Sequence, residues 1–227
     1  MFEGFTPDTL KFFKQLSKNN NRDWFAENKP WYEEAVLNPA LELVKEIEKP
    51  LKKVSPHFTA IPKKSGGSLM RIYRDIRFSK NKTPYKTNLG VHFRHEVGKN
   101  VHAPGFYFHI DKDEIFIGAG IWRPDSPTIK KIRALIDDDA KRWKRVTRAK
   151  VFRDEFELSG DTLKRPPRGY DEYHPQIADL KRKDFVGVTT LDTKELYSPK
   201  LIDALVSRFK KAMPFVRFLC DSIPLPS

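Results

Sequence analysis

Apolar residues recur along this chain first with a helical period, then with a strand period, and then with a helical one again. Thr6 stands at a helix-cap position, Pro7 suits the first helical position, and Phe5 with Leu10 occupies the two places of a hydrophobic staple. This predicts a helix through Leu16 that ends near Asn19 to Asn21. From Asp23 to Val54 the residues Trp24, Trp31, Ala35, Leu43, Ile47 and Leu51 keep near-helical spacing, while Pro30, Pro39 and Pro50 break or kink the run into two or three helices. Trp24, Phe25, Trp31 and Tyr32 read as core, because aromatic stripes at this spacing usually pack inward.

From Ser65 the period changes to two. Ser68 to Phe78 reads as a strand with Met70, Ile72, Ile76 and Phe78 on one face and Arg71, Tyr73, Asp75 and Arg77 on the other. Arg74 falls on the apolar face, which calls for a bulge, a strand end or a buried partner such as Asp75. Asn88 to Glu96 alternates again. The clearest hairpin sets Phe106, Phe108 and Ile110 against Tyr107, His109 and Asp111, turns at Lys112 and Asp113, and returns through Ile115, Ile117, Ala119 and Ile121. A helix opens at Ser126 and Pro127, and helical turns continue past Trp143 to about Arg148. The run FRDEFELS is strand-like, Asp184 to Thr190 reads as another strand, and Ser198 with Pro199 opens a last helix through Leu201, Leu205 and Phe209. Helices, then strands, then helices predict one α+β domain over 1–227, with a mainly antiparallel sheet flanked by N-terminal and C-terminal helices.

Composition narrows the class. The 17 Phe and 39% hydrophobic residues demand a core and exclude a disordered chain. Cys220 is the lone cysteine, so a disulfide framework is excluded and a reducing, cytoplasmic setting is expected. No stretch has the length and apolarity of a membrane span, and no membrane partner is expected. The formal net charge of +13 favours anionic partners, and more than half of that excess lies between Lys63 and Lys99.

Within that stretch, RIYRDIRFSKNKTPYK carries the candidate ligand set. Arg71, Arg74, Arg77, Lys80, Lys82 and Lys86 supply donors for phosphate or carboxylate oxygens, and Tyr85 adds a hydroxyl and a stacking face. Asn81 and Pro84 predict a loop on which these groups converge. If the hairpin faces match, Tyr107, His109 and Trp122 wall a pocket rimmed by this segment, beside the bare backbone of Gly118 and Gly120, although helix packing explains the glycines as well. Acid-base candidates are Asp75, Tyr107, His109 and His174, the last close to Asp171 and Glu172. No metal site or cofactor is assigned. His92, His95 and Glu96 have the wrong order for a zinc motif and split between strand faces; His109, Asp111, Asp113 and Glu114 could bind a hard cation, but a polar hairpin turn explains these acids better.

The residues Arg74, Asp75, Arg77, Phe78 and Ser79, followed by Lys82, Pro84, Tyr85, Lys86 and Thr87, resemble the signature of a widespread, largely bacterial family of conserved hypothetical proteins of unknown function. The likeness extends to Gly105 and Tyr107, to IGAGIW from Ile117 with Pro124, and to RPPRGYD from Arg165 with His174 and Pro175. It implies a single-domain α+β protein and carries over no catalytic residues. Asn81 stands where an acid is as common as an amide. The residues thus lead to an expected binder of an anionic ligand, either a phosphate-bearing metabolite or nucleic acid. The alternative is an enzyme acting on an anionic small molecule, and a scaffold with an incidental basic surface is the third reading.

Overall fold

The computed structural model describes residues 1–97, 103–223, 225 and 226, so Lys99 of the basic stretch lies outside the described residues. Helix α1 (Pro7–Lys18) starts after Thr6, which has the extended backbone of a cap but makes no side-chain cap bond. Asn21 caps α2 (Arg22–Glu27) by accepting from the Trp24 N–H. Pro30 lies in the first turn of α3 (Lys29–Tyr32), where a missing N–H costs no intrahelical bond, whereas Pro39 enters α4 (Asn38–Lys52) out of helical backbone and Pro50 lies inside that helix. A π-helical turn, Glu33–Leu37, joins α3 to α4. The Phe12 ring is the hub of this region, with Trp24, Phe25, Trp31 and Tyr32 centred between 5.3 and 6.5 Å away.

The described strands are β1 (Phe58–Thr59), β2 (Asn88–His95), β3 (Gly105–Asp111), β4 (Ile115–Ile121), β5 (Glu157–Ser159) and β6 (Phe185–Thr190). They form one antiparallel sheet in the order β1-β2-β3-β4-β6-β5. Between and after them run α5 (Ser126–Asp138), α6 (Ala140–Arg148), α7 (Lys150–Arg153), α8 (Ile177–Leu180), α9 (Thr193–Leu196) and α10 (Leu201–Ser222). The architecture is α+β, as the periods indicated.

Two expected strands differ. Ser68 to Phe78 is not a continuous strand: Leu69 and Tyr73 make isolated bridges, to Val91 and Tyr85. Phe78, assigned to the buried face, is 96% exposed. The chain leaves the edge of β2 after Met70 and folds back on itself, so its alternation serves two short pairings in place of one long one. In FRDEFELS, Phe152 and Arg153 belong to α7, and pairing begins only at Glu157.

The helices cover one sheet face. Leu89, Val91, Phe93, Phe106, Phe108, Ile115 and Ile117 are buried beneath them, and Phe209 of α10 stacks on Phe106 at 4.4 Å. The opposite face carries Gly90, His92, Tyr107, His109, Phe116 and Gly118, with the large side chains half-buried. Helix approach at bare backbone occurs at Gly120 (φ 127°), where a Cβ would lie 3.0 Å from Phe215 of α10 and 2.0 Å from the Phe185 carbonyl oxygen. Gly118 instead faces Val186 and Tyr107. Among the described residues, no helix is long and apolar enough to cross a membrane.

Candidate functional site

The basic segment is a hairpin arm built from two backbone bonds. The Arg74 N–H donates to the Pro84 carbonyl at 2.9 Å and the Lys86 N–H to the Ile72 carbonyl at 2.7 Å, which sets Tyr73 opposite Tyr85. Pro84 has no N–H to give, yet its carbonyl is what this ladder needs. The arm is anchored inward by Tyr85, only 5% exposed, whose ring stacks on Phe25 at 4.0 Å. Tyr85 therefore presents its face to the core, not to a ligand.

The loop between the two rungs is tied internally. Asn81 accepts from both the N–H and the hydroxyl of Thr83, and the Arg74 guanidinium donates to that hydroxyl and, at 3.5 Å, to Ser79. Among the described residues Arg74 is thus half-buried with hydroxyl partners and no acid; of the alternatives for its place on the apolar face, the end of the strand holds and a buried pairing with Asp75 does not. Asp75 is instead held by Arg77, with guanidinium bonds of 3.0 and 2.7 Å, which bring its exposed carboxyl down to about 2. Lys82 donates to the Ile76 carbonyl at 3.0 Å. Arg71, Arg77, Lys80 and Lys82 all point outward.

Beneath the loop is a cavity of about 390 Å³ lined by Ser17 and Asn20 from the α1 end, by Arg74 and Thr83, and by Lys86 and Asn88 at the arm's base. Two cationic residues, Arg74 and Lys86, line it and no acidic residue does. Lys86 is half-buried, and loss of water pushes its amine below the ordinary lysine value, with the nearby Arg71 charge adding to the effect. Of the seven expected ligand residues, the cavity collects Arg74, Tyr85 and Lys86. It adds Ser17, Asn20, Asn81, Thr83, Thr87 and Asn88, none of them in the expected ligand set.

The family model described as conserved hypothetical protein (DUF2461) matches residues 8–218. The chain belongs to this family. No curated protein matches it. The matched span contains the arm, the cavity and the open sheet face of this DUF2461 member.

On that open face Tyr107 and His109 stand together, as the strand alternation required. The Tyr107 hydroxyl lies 3.0 Å from His109 Nδ1, and the His109 ring stacks on Phe116 at 4.5 Å. Burial pushes Tyr107 up to about 12 and pushes His109 below the ordinary histidine value. Trp122 does not join them. His109 pairs with Phe116, six residues before Trp122, a separation of roughly 20 Å along an extended strand. Trp122 lines a separate cavity of about 240 Å³ with Arg123, Asp184 and Val186. There the buried Asp184 carboxylate is occupied, accepting from the backbone N–H groups of Arg123 and Asp161.

His174 does not join Asp171 and Glu172. Its Nδ1 accepts from the Gln176 N–H and its Nε2 meets Asp137 of α5 at 3.0 Å, so both nitrogens are engaged. His95 is likewise committed, to the Pro226 carbonyl and the Val97 N–H, while Glu96 binds His57 at 2.7 Å. Of the four acid-base candidates, only Tyr107 and His109 meet. One further group of possible metal ligands occurs among the described residues: His109, Asp111 and Glu114 bring one ligand atom each within 4.8 Å of one another.

Proposed function

We propose that this protein binds a phosphate-bearing anion in the cavity beneath the basic arm. The observation that carries the reading is the meeting of Arg74 and Lys86, two half-buried cations, in a polar cavity lined by hydroxyls and amides and by no carboxylate. An uncompensated buried cation is costly, and a bound oxyanion relieves that cost while accepting charge-assisted hydrogen bonds. Ser17, Thr83, Asn20 and Asn88 supply neutral partners that fix its orientation. Arg71, Arg77, Lys80 and Lys82 form the outer field that draws the anion in. The compartment proposed with this reading is the cytoplasm, where the buried Cys220 thiol, pushed up to about 12 by burial, stays reduced.

The test is titration with inorganic phosphate, a nucleoside monophosphate and a single-stranded oligonucleotide, each at low and high salt. Saturable binding that falls about tenfold in both Arg74→Gln and Lys86→Gln, with unchanged thermal midpoints, supports the reading. Preference for the oligonucleotide with a steep salt slope identifies a polynucleotide ligand, and a shallow slope with tight monophosphate binding identifies a metabolite. Absence of binding by all three probes at low salt sinks the proposal.

A further inference from the structure

We propose that His109, Asp111 and Glu114 form a binding site for a divalent first-row transition ion at the β3–β4 turn. Local geometry brings the three together. His109 and Asp111 are two residues apart on one strand and so share a face. The two-residue turn at Lys112 and Asp113, closed by the Asp111 N–H to the Glu114 carbonyl at 3.0 Å, sets Glu114 directly across from Asp111. One imidazole nitrogen and two carboxylates make a donor set suited to manganese, iron, cobalt or zinc.

The hairpin explains only part of this arrangement. Asp111 Oδ1 is used by the turn, accepting from the N–H groups of Asp113 and Glu114 at 2.7 and 2.8 Å. Asp111 Oδ2 is directed instead toward His109 Nε2 at 3.6 Å, beyond hydrogen-bond range. That Nε2 is buried and has no hydrogen-bond partner. The turn accounts for none of this, since a polar turn has no need of an inward histidine. Lys112, the cation nearest in sequence, pairs with Asp113 and not with Asp111 or Glu114. The other ring nitrogen meets the Tyr107 hydroxyl and Phe116 stacks on the ring, so the ring's orientation is set from behind; with Nδ1–H donating to that hydroxyl, Nε2 keeps its lone pair for an ion. Tyr107 acts here as a positioning residue.

The assignment is independent of the anion reading, because its probe is the metal ion alone. Chelator-treated protein is titrated with Mn²⁺, Co²⁺ and Zn²⁺ by calorimetry, and the visible absorption of bound Co²⁺ reports its ligands. Asp111→Asn keeps the oxygen that the turn uses and removes only the anionic one, and Glu114→Gln changes an exposed side chain, so both variants retain the hairpin. Expected is one ion per chain, with affinity lower by about tenfold or more in each variant and in His109→Gln, and a smaller loss in Tyr107→Phe with an altered Co²⁺ spectrum. Absence of saturable binding by any of the three ions, or binding that Asp111→Asn and Glu114→Gln leave unchanged, overturns the assignment.

Discussion

Asn20 grips the backbone of Tyr85 from both sides, its carbonyl accepting from the Tyr85 N–H at 3.1 Å and its amide donating to the Tyr85 carbonyl at 3.0 Å. A side chain just past α1 thereby completes the pairing of a hairpin arm 65 residues away and forms a wall of the cavity. Asn20→Ala leaves two half-buried backbone groups without partners, so a loss of roughly 1–3 kcal/mol in unfolding free energy is expected. Phosphate affinity falls with it. Urea unfolding and a phosphate titration on the same variant check both outcomes, and an Asn20→Asp variant, which keeps the acceptor and brings a carboxylate to the cavity, weakens phosphate further.

Arg74 and Arg77 are neighbours in sequence with opposite situations. Arg77 is exposed and its fork is filled by Asp75, whereas Arg74 is half-buried with hydroxyl partners alone. Arg77→Gln is therefore expected to leave phosphate affinity within about twofold, while Arg74→Gln lowers it by about tenfold. Equal losses in the two titrations would show that the outer field, and not the cavity, holds the anion.

How far such distinctions can be read from sequence depends on the range over which they act. The β3–β4 hairpin was legible because Phe106, Phe108 and Ile110 face the core without interruption and a polar turn separates them from Ile115. The basic segment carries the same period, yet Phe78 ends in solvent, because alternation records which residues could share a face and not whether a neighbouring strand is there to receive them. His109, Asp111 and Glu114 follow from a two-residue period and a tight turn, both local. The Asn20 clamp does not, since no local pattern couples Asn20 to Tyr85, and the Phe25 stack that makes Tyr85 a core residue is equally remote in sequence.

His92 supplies a dependence on pH. It lies on the open face across from Tyr107, its ring packed over Gly105, and burial together with the Arg94 charge lowers it to about 4 from 6.5. Between those values the unfolded chain binds the proton that the folded one refuses, so stability is complete above about pH 6.5 and falls as pH drops toward 4. The contribution lost is of order 3 kcal/mol. His92→Gln removes one proton from the slope of unfolding free energy against pH in this window. Denaturation midpoints at several pH values measure that slope, and a slope identical to the wild type would place the titration elsewhere.

Two glycines on the same face make the last comparison. At Gly90 a Cβ would lie 2.6 Å from the Tyr107 hydroxyl and 3.1 Å from both the Tyr107 ring and the Met70 sulfur. Tyr107 cannot withdraw without breaking its bond to His109, so Gly90→Ala is expected to destabilise by about 1–3 kcal/mol. Removing the hydroxyl in Gly90→Ala/Tyr107→Phe restores part of that loss, because the closest clash disappears while the ring contact stays, and a double-mutant cycle isolates the coupling. At Gly118 a Cβ meets Val186 at 3.5 Å and Tyr107 at 3.7 Å, ordinary contact distances, and the backbone φ there is not in the left-handed region. Gly118→Ala is accordingly neutral or stabilising by up to about 1 kcal/mol, since alanine restricts the unfolded chain more than glycine does. Thermal melts that rank Gly118→Ala below Gly90→Ala would mean that the open face at Gly118 is covered in solution by something a methyl group displaces.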